Sequence, residues 1–569
     1  MSSHTWHMFT YVNTAQRRPG GPVYTQNLNP TGSLTMSALL ASLPLLALLV
    51  ALGVFKWRAH WAGVAALLIS IAIAIAVFHM PLFETLNAGV YGAAVSVLAV
   101  LWITFNAIWI YNLTVKSGHF AVLRRSFATI SDDRRIQSIV IAFSFGALLE
   151  SLAGGGSPIA ICAVMLIAIG FNPLKAATVA LVANTAPVAF GGLGNPITIM
   201  GQVTGLPAEQ FGAMAGRQVS ILALFVPFVL VGIVDGWKGV REVWPAALTC
   251  GLSFGLAQFA FSNFVNYKLC DIVAALVSAV AVILLNKVWQ PRKERVTAPP
   301  VIAGGSTEDP AFTRRIGAPS GDSRRDVLLA FAPYAVVVLL FSVAQLPGIS
   351  GALNAPTITF NWPGLHVLSQ AGTTVSVAYK LNWLAATGTL LFISGLVTAL
   401  VLGIKPLVAA KTYAETLRQF GWAIVTILLV FALSYVMNLS GQVSTLGLWL
   451  AQAGAFFAFL SPLVGWFGVA VTGTDAGSNA LFAKLQVTAA EQLHASPILF
   501  GAANTSGGVM AKMISPQNLA IGTAAVGQVG AEGILFRRVF GWSVLFLLAM
   551  CVLVYLQSTS VLGWMVVGG

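Results

Sequence analysis

The chain has 569 residues, 57% hydrophobic and only 8% charged, against about 25% charged in an ordinary soluble domain, and no water-soluble fold hides that much apolar surface. Its formal charge of +13 sits in short loops between apolar runs, where Lys and Arg act as topology signals, so nucleic-acid binding is set aside. Residues 1–33 carry Arg17, Arg18 and Pro19 but no apolar core, and read as a polar lead-in, not a cleaved signal peptide. From Leu34 onward the apolar runs reach the roughly 20 residues a helix needs to cross about 30 Å of hydrocarbon, which excludes an outer-membrane barrel built of alternating segments of about 10 residues.

Full spans are expected at 34–54, 61–79, 91–113, 173–200, 213–235, 240–262 and 269–287, then at 326–346, 383–403, 421–438, 497–521 and 537–558. Two further stretches, 136–171 and 462–487, are interrupted by Gly- and Ser-rich breaks and read as re-entrant hairpins. The fold class is therefore an all-α polytopic membrane protein of about twelve transmembrane helices plus two hairpins. Basic residues cluster near Lys56, between Lys116 and Arg135, near Lys238, through the 288–325 linker, from Lys405 to Arg418 and at Arg537. Placing all of them in the cytoplasm puts both termini outside and makes 34–287 and 326–569 two membrane halves.

The halves share a pattern. Ala183-Asn184-Thr185 recurs as Ala503-Asn504-Thr505 and Pro196 as Pro516, each 320 residues on, while Gly156-Ser157 recurs as Gly477-Ser478. With the first hairpin entering from the cytoplasm and the second from outside, the halves are inverted repeats with discontinuous helices, an arrangement common in secondary transporters. Unwound backbone at membrane depth is tolerated only where protein or a water-filled cavity satisfies it, so the breaks mark the expected substrate site.

Four breaks, 152–158, 184–196, 472–479 and 504–516, combine Gly or Pro with Ser, Thr or Asn. Amides at helix starts suit a carboxylate. Ser157, Asn184, Thr185, Ser478, Asn479, Asn504, Thr505 and Gln517 are the polar candidates for substrate contact, the two serines serving equally well as helix caps. Ionisable residues within apolar segments are functional candidates by default. Glu150, before the first Gly-rich break, and Asp475, within the third, are candidates for proton coupling; hydrogen bonding or capping is the structural alternative. Lys512 is the candidate counter-ion for a carboxylate, unless it snorkels to the interface.

Several classes find no support. Cys162, Cys250, Cys270 and Cys551 lack metal-ligand spacing and read as packing residues, and no histidines pair within a span, so neither a metal, a cofactor nor an enzyme is expected. Gly154-Gly155-Gly156-Ser157 lacks the Gly-Lys-Ser/Thr ending of a phosphate loop, leaving an ion gradient or the substrate gradient to drive transport.

Taken together, Gly170-Phe171-Asn172-Pro173-Leu174, Ala183 through Gly191, Ser478-Asn479-Ala480-Leu481-Phe482, Ser506-Gly507-Gly508-Val509, Lys512 through Gln517 and Glu532-Gly533 resemble the bacterial lactate permease family, over nearly all of the chain. The resemblance implies a multi-pass protein of the bacterial inner membrane, moving lactate or glycolate with protons as its partners. Glu150 and Lys512 fall within the matching segments. One departure is at the first hairpin, where Ser151 follows Glu150 and Gly155 replaces a family phenylalanine, which leaves open a sodium-coupled or broader-specificity carboxylate carrier of the same fold.

Overall fold

The computed structural model describes residues 23–568 except 54, 56, 129, 132, 153–155, 292–321, 345, 529 and 530. Most of the expected lead-in and linker, and Gly154-Gly155 of the first hairpin tip, therefore lie outside the described residues. The first helices are α1 (Leu34–Gly53), α2 (Ala59–Ala76), α3 (Leu82–Ser96), which passes through one π-helical turn into α4 (Trp102–Lys116), and α5 (His119–Ala128). A longer π-helical segment joins α6 (Arg134–Ser138) to α7 (Gly146–Leu152), after which come α8 (Ser157–Ala168), α9 (Pro173–Ala183), α10 (Gly191–Thr204), α11 (Ala208–Ala260) and α12 (Cys270–Val288). The second half contains α13 (Arg324–Ala344), α14 (Pro347–Asn354), α15 (Thr387–Val401), α16 (Pro406–Ser440), α17 (Gln442–Ala451), α18 (Phe457–Thr472), α19 (Asp475–Gln492), α20 (Pro497–Ala511), α21 (Pro516–Ala525) and α22 (Glu532–Gln557).

Helix starts follow local chemistry. Asn172, Ser496 and Ser515 each precede a proline, and each side-chain oxygen accepts from a first-turn amide, Leu174 N at 3.1 Å, Leu499 N at 3.3 Å and Asn518 N at 3.4 Å. Pro at the first helical position forfeits no bond, since that amide has no intrahelical partner.

Among the described residues, six helices are long and apolar enough to cross a membrane, or up to eight if two bent pairs each count as one span. The bent pairs are Pro173–Ala183 with Val188–Thr204, at 62°, and Gln442–Ala451 with Gly454–Ala470, at 112°. Helix length alone thus gives fewer than the expected twelve, for identifiable reasons. The run at 383–403 forms a shorter helix of 15 residues, 91–113 straddles the π-helical turn, and 213–262 is one element that reverses at Gly236, whose φ is 66°. The reversal brings Ser220 to Gln258, with Oγ donating to Oε1 at 3.3 Å, and a Cβ on Gly255 would come within 2.8 Å of Ser220 O. Small residues thus let the two arms approach closely.

Both interrupted stretches fold as helical hairpins. In the first, Cys162 Sγ donates to Ile141 O at 3.2 Å; in the second, which extends over α18 and α19 beyond the expected 462–487, Ser478 Oγ donates to Gly465 O at 3.1 Å. Each hairpin is followed by a broken helix, but the breaks fall in different places. In the first half the helix ends at Asn184. In the second, Asn504 and Thr505 lie inside the unbroken α20, and the break comes at Lys512–Ser515. The cause is one position: Pro187 stands where the repeat places Gly507. Proline withholds an amide and pushes its predecessor out of the helical region. Gly507 instead lets α20 pack against Pro462 of α18.

Helices of the two halves interleave into two packing groups. In one, α16 lies against α2, α3 and α4, with α15 between α4 and α13; in the other, α18 to α22 pack among themselves and against α8 to α11. Arg135, 1% exposed, fastens the foot of α6 to the α11 turn through Asp133 (2.8 Å), Asp235 (3.0 Å) and Glu242 (2.6 Å). Ile358–Asn361 pairs antiparallel with Ala378–Leu381, and Tyr24–Thr25 pairs parallel with Val367–Leu368.

Candidate functional site

Two cavities open along the seam between the packing groups, one on each side of α10. The smaller, about 800 Å³, is lined by Glu150, Lys512, Asp475, Gln517, Asn195 and Thr474, by the backbone of Gly191 and Gly192, and by apolar Val188, Ile199, Val430 and Phe431. Arg58, His60 and Trp422 stand along its wall, the last two stacked at 4.3 Å. The size and the mixture of apolar wall with few polar groups suit a small organic ligand.

Glu150 and Lys512 meet on its wall. Lys512 Nζ donates to Glu150 Oε1 at 2.6 Å, across 362 residues of chain, with the two side chains 5% and 4% exposed. The other carboxylate oxygen, Oε2, accepts from Asn184 Nδ2 at 3.1 Å. Glu150 is brought there by the last turn of α7, and Lys512 by the one-turn 3-10 helix that ends α20. That turn is held by Asn518, whose Nδ2 donates to Lys512 O at 3.0 Å and to Ser515 Oγ at 2.8 Å. Gly191 completes the cradle: a Cβ there would lie 2.9 Å from Glu150 Oε1, so only glycine admits the carboxylate so close to the backbone. The left-handed stretch Gly192-Leu193-Gly194, with φ of 53°, 55° and 70°, then turns the chain into the remainder of α10.

Asp475 opens α19. Its Oδ2 accepts from Thr505 Oγ1 at 3.1 Å, and its Oδ1 has no hydrogen-bond partner among the described residues. Thr474 caps the helix, accepting from Gly477 N at 3.1 Å. The first turns of α19 and α21 both contribute to the cavity wall, adding the positive ends of two helices to the Lys512 ammonium.

The remaining sequence candidates divide. Ser478, Asn479, Asn504 and Thr505 are buried and bonded to one another: Asn504 Nδ2 donates to Asn479 Oδ1 at 2.8 Å, and Asn479 Nδ2 to Thr505 Oγ1 and to Pro196 O at 3.1 Å. They fasten α19 to α20 and to the first-half break, and none lies on the cavity wall. Thr185 is buried away from the cavity, its Oγ1 without a partner among the described residues. Ser157 starts α8; its side chain lies outside what is described.

Two polar groups were not singled out by sequence reasoning. Asn195, on the cavity wall, donates from Nδ2 to Thr104 Oγ1 at 3.2 Å, and its Oδ1 has no partner among the described residues. Asp271, 1% exposed, accepts from Gln258 Nε2 at 3.2 Å. Its position at the edge of an apolar run, three residues after Lys268, was the available signal. The four cysteines are buried and unpaired, and among the described residues no group of three His, Cys, Asp or Glu could hold a metal ion.

Comparison with known proteins gives consistent matches. The family model described as L-lactate permease matches residues 37–561. The glycolate permease GlcA of Escherichia coli K12 is 42% identical over 95% of this chain and 99% of its own length. An L-lactate permease of Salmonella typhimurium is 40% identical over 96% and 100%, and one of Bacillus subtilis 37% over 95% and 100%. Among solved structures, the YdaH transporter of Alcanivorax borkumensis aligns over 84% of this chain and 87% of its own, at 16% identity and a TM-score of 0.42.

Proposed function

The chain belongs to the L-lactate permease family, whose members are transporters and not enzymes, and we propose that it carries lactate and related 2-hydroxymonocarboxylates such as glycolate in symport with protons. The observation that carries this reading is the buried Glu150–Lys512 pair on the cavity wall. With Glu150 ionised, Lys512 is neutralised by a carboxylate of the chain itself. A proton on Glu150 removes that charge and frees the ammonium for a substrate carboxylate, so proton and anion load together and no uncompensated charge is left buried. Asn195 Oδ1 and the Gln517 amide then serve the substrate hydroxyl.

In proteoliposomes, an inward proton gradient is expected to drive lactate accumulation and a sodium gradient at equal pH is not. Propionate, which lacks the hydroxyl, should compete at least about tenfold less well than lactate, because a site built to bond a hydroxyl rejects an analogue that leaves its polar groups unpaired. Accumulation that follows sodium, or equal competition by propionate, would refute the reading.

For the membrane we retain twelve spans and two re-entrant hairpins in inverted halves, counting the arms of α11 separately. In the bacterial inner membrane, the positive-inside rule then orients the Arg58 side of the smaller cavity to the cytoplasm. Single cysteines near Lys238 and Lys405 should react with impermeant reagents only from the cytoplasmic side, and cysteines near Thr373 only from outside; the reverse pattern would overturn the orientation.

A further inference from the structure

The larger cavity, about 1380 Å³, lies on the other side of α10 and is lined by Thr198, Gln202, Tyr267, Lys268, Thr387 and Tyr435 among others. One helix separates it from the Glu150–Lys512 site: Thr198, Gly201 and Gln202 border one cavity, Gly191, Asn195 and Ile199 the other. Lys268 is half-buried in its wall, held by a 3-10 turn over Tyr267–Leu269 that Asn266 caps at 2.9 Å. Its Nζ donates to Thr387 Oγ1 at 2.7 Å. Among the described residues no carboxylate pairs with it, since the ion pairs that form involve other cations; Glu209 shares the cavity wall but not a salt bridge. Beside it, Tyr267 Oη and Thr198 Oγ1 share a hydrogen bond of 3.0 Å.

We infer that Lys268, Thr387, Tyr267 and Thr198 form a second carboxylate subsite, which receives a small hydroxy acid on the face opposite the Glu150–Lys512 pair. An ammonium has three donors, and Lys268 uses one on Thr387. The other two can donate to carboxylate oxygens, and Tyr267 Oη, which donates to Thr198 Oγ1 while that hydroxyl donates to Gly194 O, keeps an acceptor for the substrate hydroxyl. Unlike Lys512, this lysine forms no salt bridge among the described residues, and the wall it shares with Glu209 and Glu491 also carries Lys380 and Lys484. The subsite thus captures substrate from the side that, under the proposed orientation, faces outside. Its role as a substrate subsite rests on the lactate-carrier reading.

The test is uptake by cells expressing the full chain. Lys268→Gln should raise the KM for external lactate about tenfold, the loss of one charge-assisted bond, and leave the maximal rate within about twofold; Lys268→Arg should restore most of the affinity. An unchanged KM in Lys268→Gln overturns the subsite. Should the wild-type chain move no lactate, the functional reading itself has failed, and the subsite is tested by protection. Acylation of Lys268 by a sulfonated amine reagent, followed by mass spectrometry, should be slowed by acetate and lactate but not by chloride at equal ionic strength. Equal rates with all three would overturn the inference.

Discussion

Lys512→Met is expected to weaken lactate binding by about 100-fold or more and to abolish accumulation, because methionine fills the stem's volume but removes the one ammonium that the described residues place on the smaller cavity's wall. Truncating one partner of a desolvated, hydrogen-bonded charge pair costs about 2–5 kcal/mol, and about 3 kcal/mol corresponds to the 100-fold. The same change strands Glu150, 3% exposed, beside Asn184. Stability should fall by up to about 3–5 kcal/mol, less where Glu150 takes up a proton. The double variant Glu150→Gln/Lys512→Met removes both charges and should recover most of that stability with no recovery of binding. Thermal unfolding and radiolabelled lactate binding on the purified protein, run in parallel, separate the two roles. Lactate binding at wild-type strength in either variant would show that the substrate does not bind Lys512.

Glu150→Gln should keep the fold and lose proton-driven accumulation, by about 100-fold or more at steady state, as expected when the titrating group of a coupled carrier is removed. The amide preserves size, and its oxygen still accepts from Lys512. Its NH2 then faces Asn184, whose Oδ1 is without a partner and accepts it once that amide rotates by half a turn. Lys512 is left permanently free of an internal carboxylate, so lactate counterflow, which needs no net proton movement, should persist within about tenfold of wild type. Accumulation of lactate against its gradient by this variant in proteoliposomes would assign Glu150 a purely structural role.

The candidate site was only partly legible in the sequence. Glu150 and Lys512 stand out because a charge within an apolar run is costly, and Gln517 follows a Pro-marked break. Their mutual contact was not legible, so the two read as unrelated functions, coupling and counter-ion. In the repeated Asn-Thr pair, identical triplets at the same offset sit in different local structures, because Pro187 breaks one helix and Gly507 leaves the other intact. Asn504 and Thr505 accordingly spend their hydrogen bonds on Asn479 and Asp475. Asn195, Asp271 and Lys268 were passed over since each lies near the edge of a run or break, where a polar residue looks interfacial.

The sequence by itself determined that the protein is helical and a multi-pass membrane protein, that helices begin at Leu34, Pro173 and Pro497, and which family it joins. These depend on local quantities: the length of an apolar run, a cap before a proline, an unbroken series of motifs. Only the tertiary structure decided that helices of both halves interleave, that a seam between the packing groups opens into two cavities, and that Lys512 closes on Glu150 across 362 residues. Spacing along a chain carries no information about such a partner. It is set by which helix faces bury together and by the requirement that a charge taken out of water find its opposite.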